Sequence, residues 1–147
     1  MATTGERSAA RRFFEDILST GDWSRADDIV SPEMVMHHPS SPQPIAGRDR
    51  VKEALLAYRT AFPDMRFDVE DEILCGDKVA IRWRASGRNT GSLFGNPPTG
   101  KPATVSGLCV MRIQSGRVVE DWVEEDALGM MQQLGLFPSQ TEGGLGS

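Results

Sequence analysis

His37 and His38 are the two histidines of the chain, standing side by side ahead of Pro39. An imidazole titrates near neutral pH, so either could act there as base or acid. Neighbouring strand residues point to opposite faces. At most one of the pair can therefore look into a given pocket, and together they make a poor metal chelate. The second group is Glu120, Asp121, Glu124, Glu125 and Asp126, five carboxylates within seven residues around Trp122 and Val123. Strand alternation puts Val119, Asp121, Val123 and Glu125 on one face, with Glu120, Trp122 and Glu124 on the other. Such a cluster is ordinarily a solvated edge. On an inner face a carboxylate would lose its water, its pKa would rise, and it could exchange a proton near pH 7. Alternation alone does not say which face is inner.

Several other chemistries find no support. Arg82 and Arg84 share the strand face opposite Trp83 and read as a surface pair facing neighbouring carboxylates. The stretch Gly95-Asn96-Pro97-Pro98-Thr99-Gly100-Lys101 has the glycines of a phosphate loop, but its prolines remove backbone donors and the Gly-Lys-Ser/Thr ending is missing. The sequence contains no Gly-x-Ser-x-Gly elbow, Cys-x-x-Cys pair or His-Glu-x-x-His helix. Cys75 and Cys109 lie in apolar strand-like segments and read as small core residues. The 147 residues carry a net charge of −5, with 39% hydrophobic and 25% charged residues. That composition suits one globular domain, and without a basic run it offers nucleic acid no surface. No apolar run reaches the ~18 residues of a membrane span, and residues 1–12 lack the apolar core of a signal peptide. A soluble, cytoplasmic protein is expected.

The elements that must hold these groups follow from periodicity. Phe13, Phe14, Ile17 and Leu18 make one stripe on a helix ending near Gly21, and a short second helix is expected to carry Trp23, Ala26, Ile29 and Val30. Met34–His38 reads as a short strand stopped by the Ser/Pro segment that follows. Val51, Leu55, Tyr58 and Phe62 mark a third amphipathic helix ahead of Pro63. The period then becomes two. Met65, Phe67 and Val69, then Val79, Ile81, Trp83 and Ala85, form a hairpin about Gly76-Asp77. Residues 89–102 form a loop, after which 103–113 and 118–124 make a second hairpin about Ser115-Gly116. Asp126 caps a closing helix through Leu134. Residues 1–8 are expected to be a flexible terminus, 9–137 the domain, and 138–147 a disordered tail. Helices first and antiparallel strands afterwards is the α+β layout, three N-terminal helices covering one face of a curved sheet around a ligand-sized space.

Phe62-Pro63-Asp64, Gly87-Arg88-Asn89-Thr90-Gly91, Phe94 to Lys101, Gly116 to Trp122 and Gln132-Gln133-Leu134-Gly135 together resemble the SnoaL-like polyketide cyclase (ester cyclase) family, over about residues 9–136. The resemblance implies a cone-shaped α+β barrel similar to nuclear transport factor 2, a central cavity, and no metal or organic cofactor. It also implies ring closure of a small hydrophobic or aromatic carbonyl ligand by intramolecular aldol chemistry. Related ketosteroid isomerases carry their base where this chain has His38-Pro39, which places His38 at the cavity. Their oxyanion tyrosine matches Phe14 and their second acid matches Cys109. The cyclases' acid-base aspartate falls at Val123, with Asp121 one cavity-facing step away, and a family loop histidine is Asn89 here. Epoxide hydrolases of this fold need an Arg-x-Asp pair where this chain reads Arg82-Trp83-Arg84.

On this resemblance His38 and Asp121 are the expected catalytic pair. Phe14, Tyr58, Trp83, Asn89, Cys109, Met111 and Val123 are the expected ligand contacts. The expected activity is that of a cofactor-independent cyclase or isomerase; a non-catalytic binding protein and an epoxide-opening hydrolase or cyclase are the alternatives. Trp122, Leu108 and Val110 lie opposite the expected cavity and suggest a homodimer through the outer face of the sheet.

Overall fold

The computed structural model describes residues 7–138. Helix α1 (Ala9–Arg12) starts at Ser8, whose hydroxyl accepts the Arg11 N–H, and runs on as a π-helix over Phe13–Leu18. The wider turn, closed by the Ser19 N–H on the Phe14 carbonyl at 2.9 Å, keeps Phe13, Phe14, Ile17 and Leu18 together on one buried face. A regular α-helix would spread that i, i+1, i+4, i+5 set more widely. Helix α2 (Ala26–Ile29) is one turn only. Trp23 precedes it, and Val30 opens strand β1 (Val30–His37) rather than closing the helix, because it pairs with Val118 in the sheet.

Strand β2 (Ile45–Ala46) leads through Gly47 into helix α3 (Arg48–Ala61). Strands β3 (Arg66–Cys75), β4 (Lys78–Arg88), β5 (Pro102–Gln114) and β6 (Arg117–Glu125) follow. Helix α4 (Ala127–Gln133) closes the domain, with the Asp126 carboxylate accepting the Gly129 N–H at 2.9 Å. The six strands form one curved sheet in the order β2-β1-β6-β5-β4-β3. Every neighbouring pair is antiparallel except β1 and β6, which run parallel. The antiparallel sheet expected from the hairpins is thus a mixed one: β1 comes from the helical first third and docks beside the last strand.

The main core lies between the N-terminal helices and the concave sheet face, built from residues such as Phe13, Ile17, Met34, Ile81 and Met111. A second cluster of Ala61, Phe62, Leu93, Ala103, Met130 and Leu134 fastens α4 over the end of the sheet. Two expectations fail at the sheet margins. Cys109 is buried, but Cys75 is exposed, because it ends β3, the edge strand. A register shift between Arg112 and Ile113 turns Val118 into the core, so Val119 does not share the inward face of Asp121. Of the expected flexible start over residues 1–8, only Arg7 and Ser8 are described. Arg7 pairs with Asp16 at 2.7 Å and Ser8 caps α1. Of the expected tail, all but Pro138 lies outside the described residues.

Candidate active site

The helices and the concave sheet face enclose an apolar cavity into which β6 projects Asp121, Val123 and Glu125. Burial settles which face of β6 is inner, since Glu120, Trp122 and Glu124 lie on the other side. The parallel partner β1 aligns Met36 with Asp121 and His37 with Trp122, which brings His38 to the same wall. Phe14, Phe67 and Trp83 supply the aromatic surface, their ring centroids 5.4–6.1 Å apart in edge and tilted contacts. The Trp83 ring spreads across Gly107 of β5, where a Cβ would run into it. Its indole N–H is buried without a partner among the described residues.

Asp121 is 2% exposed, and its Oδ1 has no hydrogen-bond partner among the described residues. Loss of water disfavours the ionised form and pushes the carboxyl up to about 7, against a smaller opposing hydrogen bond from the Cys109 thiol. Burial, together with the neighbouring Asp121, holds the Cys109 thiol well above its ordinary range, so it stays protonated. One carboxyl and one thiol therefore sit together in an apolar wall with no cation beside them among the described residues. Such a carboxyl can hold or release a proton near neutral pH.

The two histidines diverge as alternation requires. His37 turns outward, stacks on Trp122 at an interplanar angle of 7°, and meets Glu120 through Nε2 at 2.7 Å. His38 is buried and lines the cavity. Its Nδ1 accepts the Ser40 backbone N–H at 3.1 Å, with the Ser40 hydroxyl 2.7 Å away. A backbone N–H can only donate, so Nδ1 carries the lone pair and Nε2 carries the proton. That proton faces Glu125 Oε1 at 3.2 Å, and the Tyr58 hydroxyl donates to Glu125 Oε2 at 3.4 Å. Burial and the Glu125 charge hold the Tyr58 phenol above its ordinary value.

Phe14, Tyr58, Trp83, Cys109 and Val123 line the cavity with His38 and Asp121. Two expected contacts do not. Met111 is wholly buried in the core. Asn89 is also wholly buried, and its side chain is consumed in holding its loop. The amide donates to the Ala61 and Gly91 carbonyls at 3.2 and 2.8 Å, and its oxygen accepts from the Thr99 N–H at 2.9 Å and hydroxyl at 3.0 Å. Asp64 is likewise structural, accepting the Arg88 N–H at 2.9 Å. Arg82 and Arg84 point outward and pair with Glu70. Glu125 is the site residue that the sequence reading did not single out. Among the described residues no group of three or more His, Cys, Asp or Glu side chains could hold a metal ion, and no helix is long and apolar enough to cross a membrane.

A family model described as SnoaL-like polyketide cyclase matches residues 8–134. Among solved structures the chain is similar to IdmH of Streptomyces antibioticus, provisionally named a polyketide cyclase, at 28% identity and TM-score 0.75, covering 86% of this chain and 96% of that one. TsrD of Streptomyces laurentii is 25% identical with TM-score 0.77, covering 90% and 98% of the two chains. A protein of Acidithiobacillus ferrooxidans, also provisionally named a polyketide cyclase, is 26% identical with TM-score 0.79, covering 91% and 98%. A search of curated proteins gives no match.

Proposed function

Because the chain belongs to the SnoaL-like polyketide cyclase family, we propose that it is a cofactor-independent cyclase or isomerase for a small, apolar, carbonyl-bearing substrate of polyketide type. The observation that carries this reading is Asp121, a buried carboxyl in the cavity wall with an oxygen unpartnered and its pKa lifted to about 7. At neutral pH a sizeable share of such a group is ionised. It can take a proton from a C–H made acidic by an adjacent carbonyl, leaving an enolate, and the resulting carboxylic acid can return the proton to oxygen or carbon. Attack of the enolate carbon on a second carbonyl of the same molecule closes a ring, and the new alkoxide takes up the proton.

The bonding of His38 favours a particular division of roles. With Nδ1 engaged by Ser40 and a proton on Nε2, the imidazole has no free lone pair. We assign base chemistry to Asp121, with His38 committed through its Nε2 proton to the Glu125 carboxylate, which it holds in place. The same engagement of His38 favours, as the second reading, a binding protein that catalyses nothing.

A C–H acid tests the assignment without the physiological substrate. The protein should catalyse deuterium exchange at the α-carbon of 1-tetralone in D2O, followed by NMR. Asp121→Asn, which keeps the shape and loses the exchangeable proton, should slow that exchange by ~10²–10⁴-fold with little change in 1-tetralone affinity. Equal exchange by wild type and variant would leave the binding reading.

A further inference from the structure

Glu125 is the carboxylate that acid-base chemistry at Asp121 leaves unused. Its side chain is only 9% exposed, and it meets no lysine or arginine among the described residues. Its hydrogen-bond partners are His38 and Tyr58. A carboxylate taken out of water needs donors for its lone pairs, or the lost hydration goes uncompensated. Its two oxygens accept about four hydrogen bonds, and here two donors reach them. Ser40 commits His38 to the neutral tautomer, so the imidazole brings a single proton and no positive charge. The unused acceptor capacity belongs to a group that lines the cavity.

Asp121 lies four residues back on the same face of β6, about 13 Å away at ~3.3 Å per strand residue. Val123 stands between them, and the facing Trp83 and Phe14 are aromatic. One wall thus presents a proton-exchanging carboxyl, an apolar span, and then an acceptor already flanked by two donors. We propose that Glu125 is a specificity residue: it accepts a hydrogen bond from a hydroxyl group at the far end of a ligand whose carbonyl end lies at Asp121. The site then selects aromatic hydroxy-ketones over the same ketones without the hydroxyl. This rests on the reading of Asp121 for where the carbonyl lies, but not on turnover.

The test compares the affinities of 6-hydroxy-1-tetralone and 1-tetralone by calorimetry. Wild type should favour the hydroxylated ketone by about tenfold or more, the worth of one hydrogen bond to a charged acceptor. Glu125→Gln should reduce that preference to within about twofold. Tyr58→Phe, which frees a lone pair of Glu125, should retain the preference. The proposal is overturned if wild type binds neither ketone or binds both alike, if the Gln variant keeps the preference, or if Tyr58→Phe abolishes it. The two readings fail separately. Exchange lost in Asp121→Asn with a hydroxyl preference indifferent to Glu125 removes only this proposal. A preference dependent on Glu125 with exchange intact in Asp121→Asn removes only the acid-base assignment.

Discussion

A carboxyl that loses its water and gains no cation becomes a weak acid, and that has a consequence for Asp121 that needs no ligand to observe. Its pKa rises from an ordinary 3.8 to about 7 in the fold. Between those values the native state holds more protons than the unfolded chain, so stability falls as pH rises through the window and is fully restored below it. A shift of this size corresponds to roughly 4 kcal/mol of penalty at alkaline pH. Asp121→Asn should therefore match wild type in denaturant midpoint near pH 4 and exceed it at pH 8. A variant equally destabilised at both pH values would mean that the Asp121 pKa is not raised in the fold. Much of this site was legible in the sequence. The divergence of His37 and His38 follows from strand alternation. Asp121 was singled out only by family resemblance, because alternation fixes which residues share a face and not which face is wet. Alternation puts Glu125 on the face of Asp121 but does not single it out as a site residue, because nothing within a run of five carboxylates marks which of them end up in the cavity. The resemblance makes Asn89 a ligand contact by aligning it with a family loop histidine, and a sequence gives no sign that such a side chain is saturated by its own loop.

Element boundaries were legible where a local period runs into glycine or proline. Helix α3 stops ahead of Pro63, and the hairpins turn at Gly76 and at Ser115-Gly116. Ser115 and Gly116 both have positive φ, 53° and 75°, the left-handed pair of a tight hairpin turn in which asparagine is the favoured first residue. Ser115→Asn should raise the denaturant midpoint by an amount equivalent to about 0.5 kcal/mol, with the cavity untouched. Gly107 illustrates what the sequence could not disclose. A glycine inside β5 looks like a weak point in a strand, yet its missing side chain makes room for the Trp83 ring on the neighbouring strand. Gly107→Ala should displace that ring toward the cavity. It should weaken 1-tetralone binding at least about tenfold and lower stability by roughly 1–3 kcal/mol, measurable by calorimetry and chemical denaturation. The π-helical stretch Phe13–Leu18 was equally hidden, because an apolar stripe at i, i+1, i+4, i+5 is also compatible with an ordinary helix.

At the scale of the molecule, the outer sheet face carries Leu108 and Trp122, 52% and 37% exposed, beside the His37–Glu120–Arg112 network. We propose that a second copy of the chain covers this face. Sedimentation should then give twice the 16.1 kDa chain mass at micromolar concentration, and Trp122→Glu should halve it; a monomeric wild type would dismiss the dimer. The overall α+β plan was readable because helices and strands segregate along the chain. The parallel junction was not, since no local period records which distant strand a segment will choose. That junction carries an expectation for the order of folding. His38 and Glu125 are 87 positions apart, so the wall they share cannot close until nearly the whole domain has been synthesised and a long loop has been closed. Loop-closure entropy is spent before these contacts repay it, which makes the β1–β6 seam a late event in folding. In refolding experiments Met36→Ala, at the heart of the seam, should accelerate unfolding while leaving the folding rate nearly unchanged.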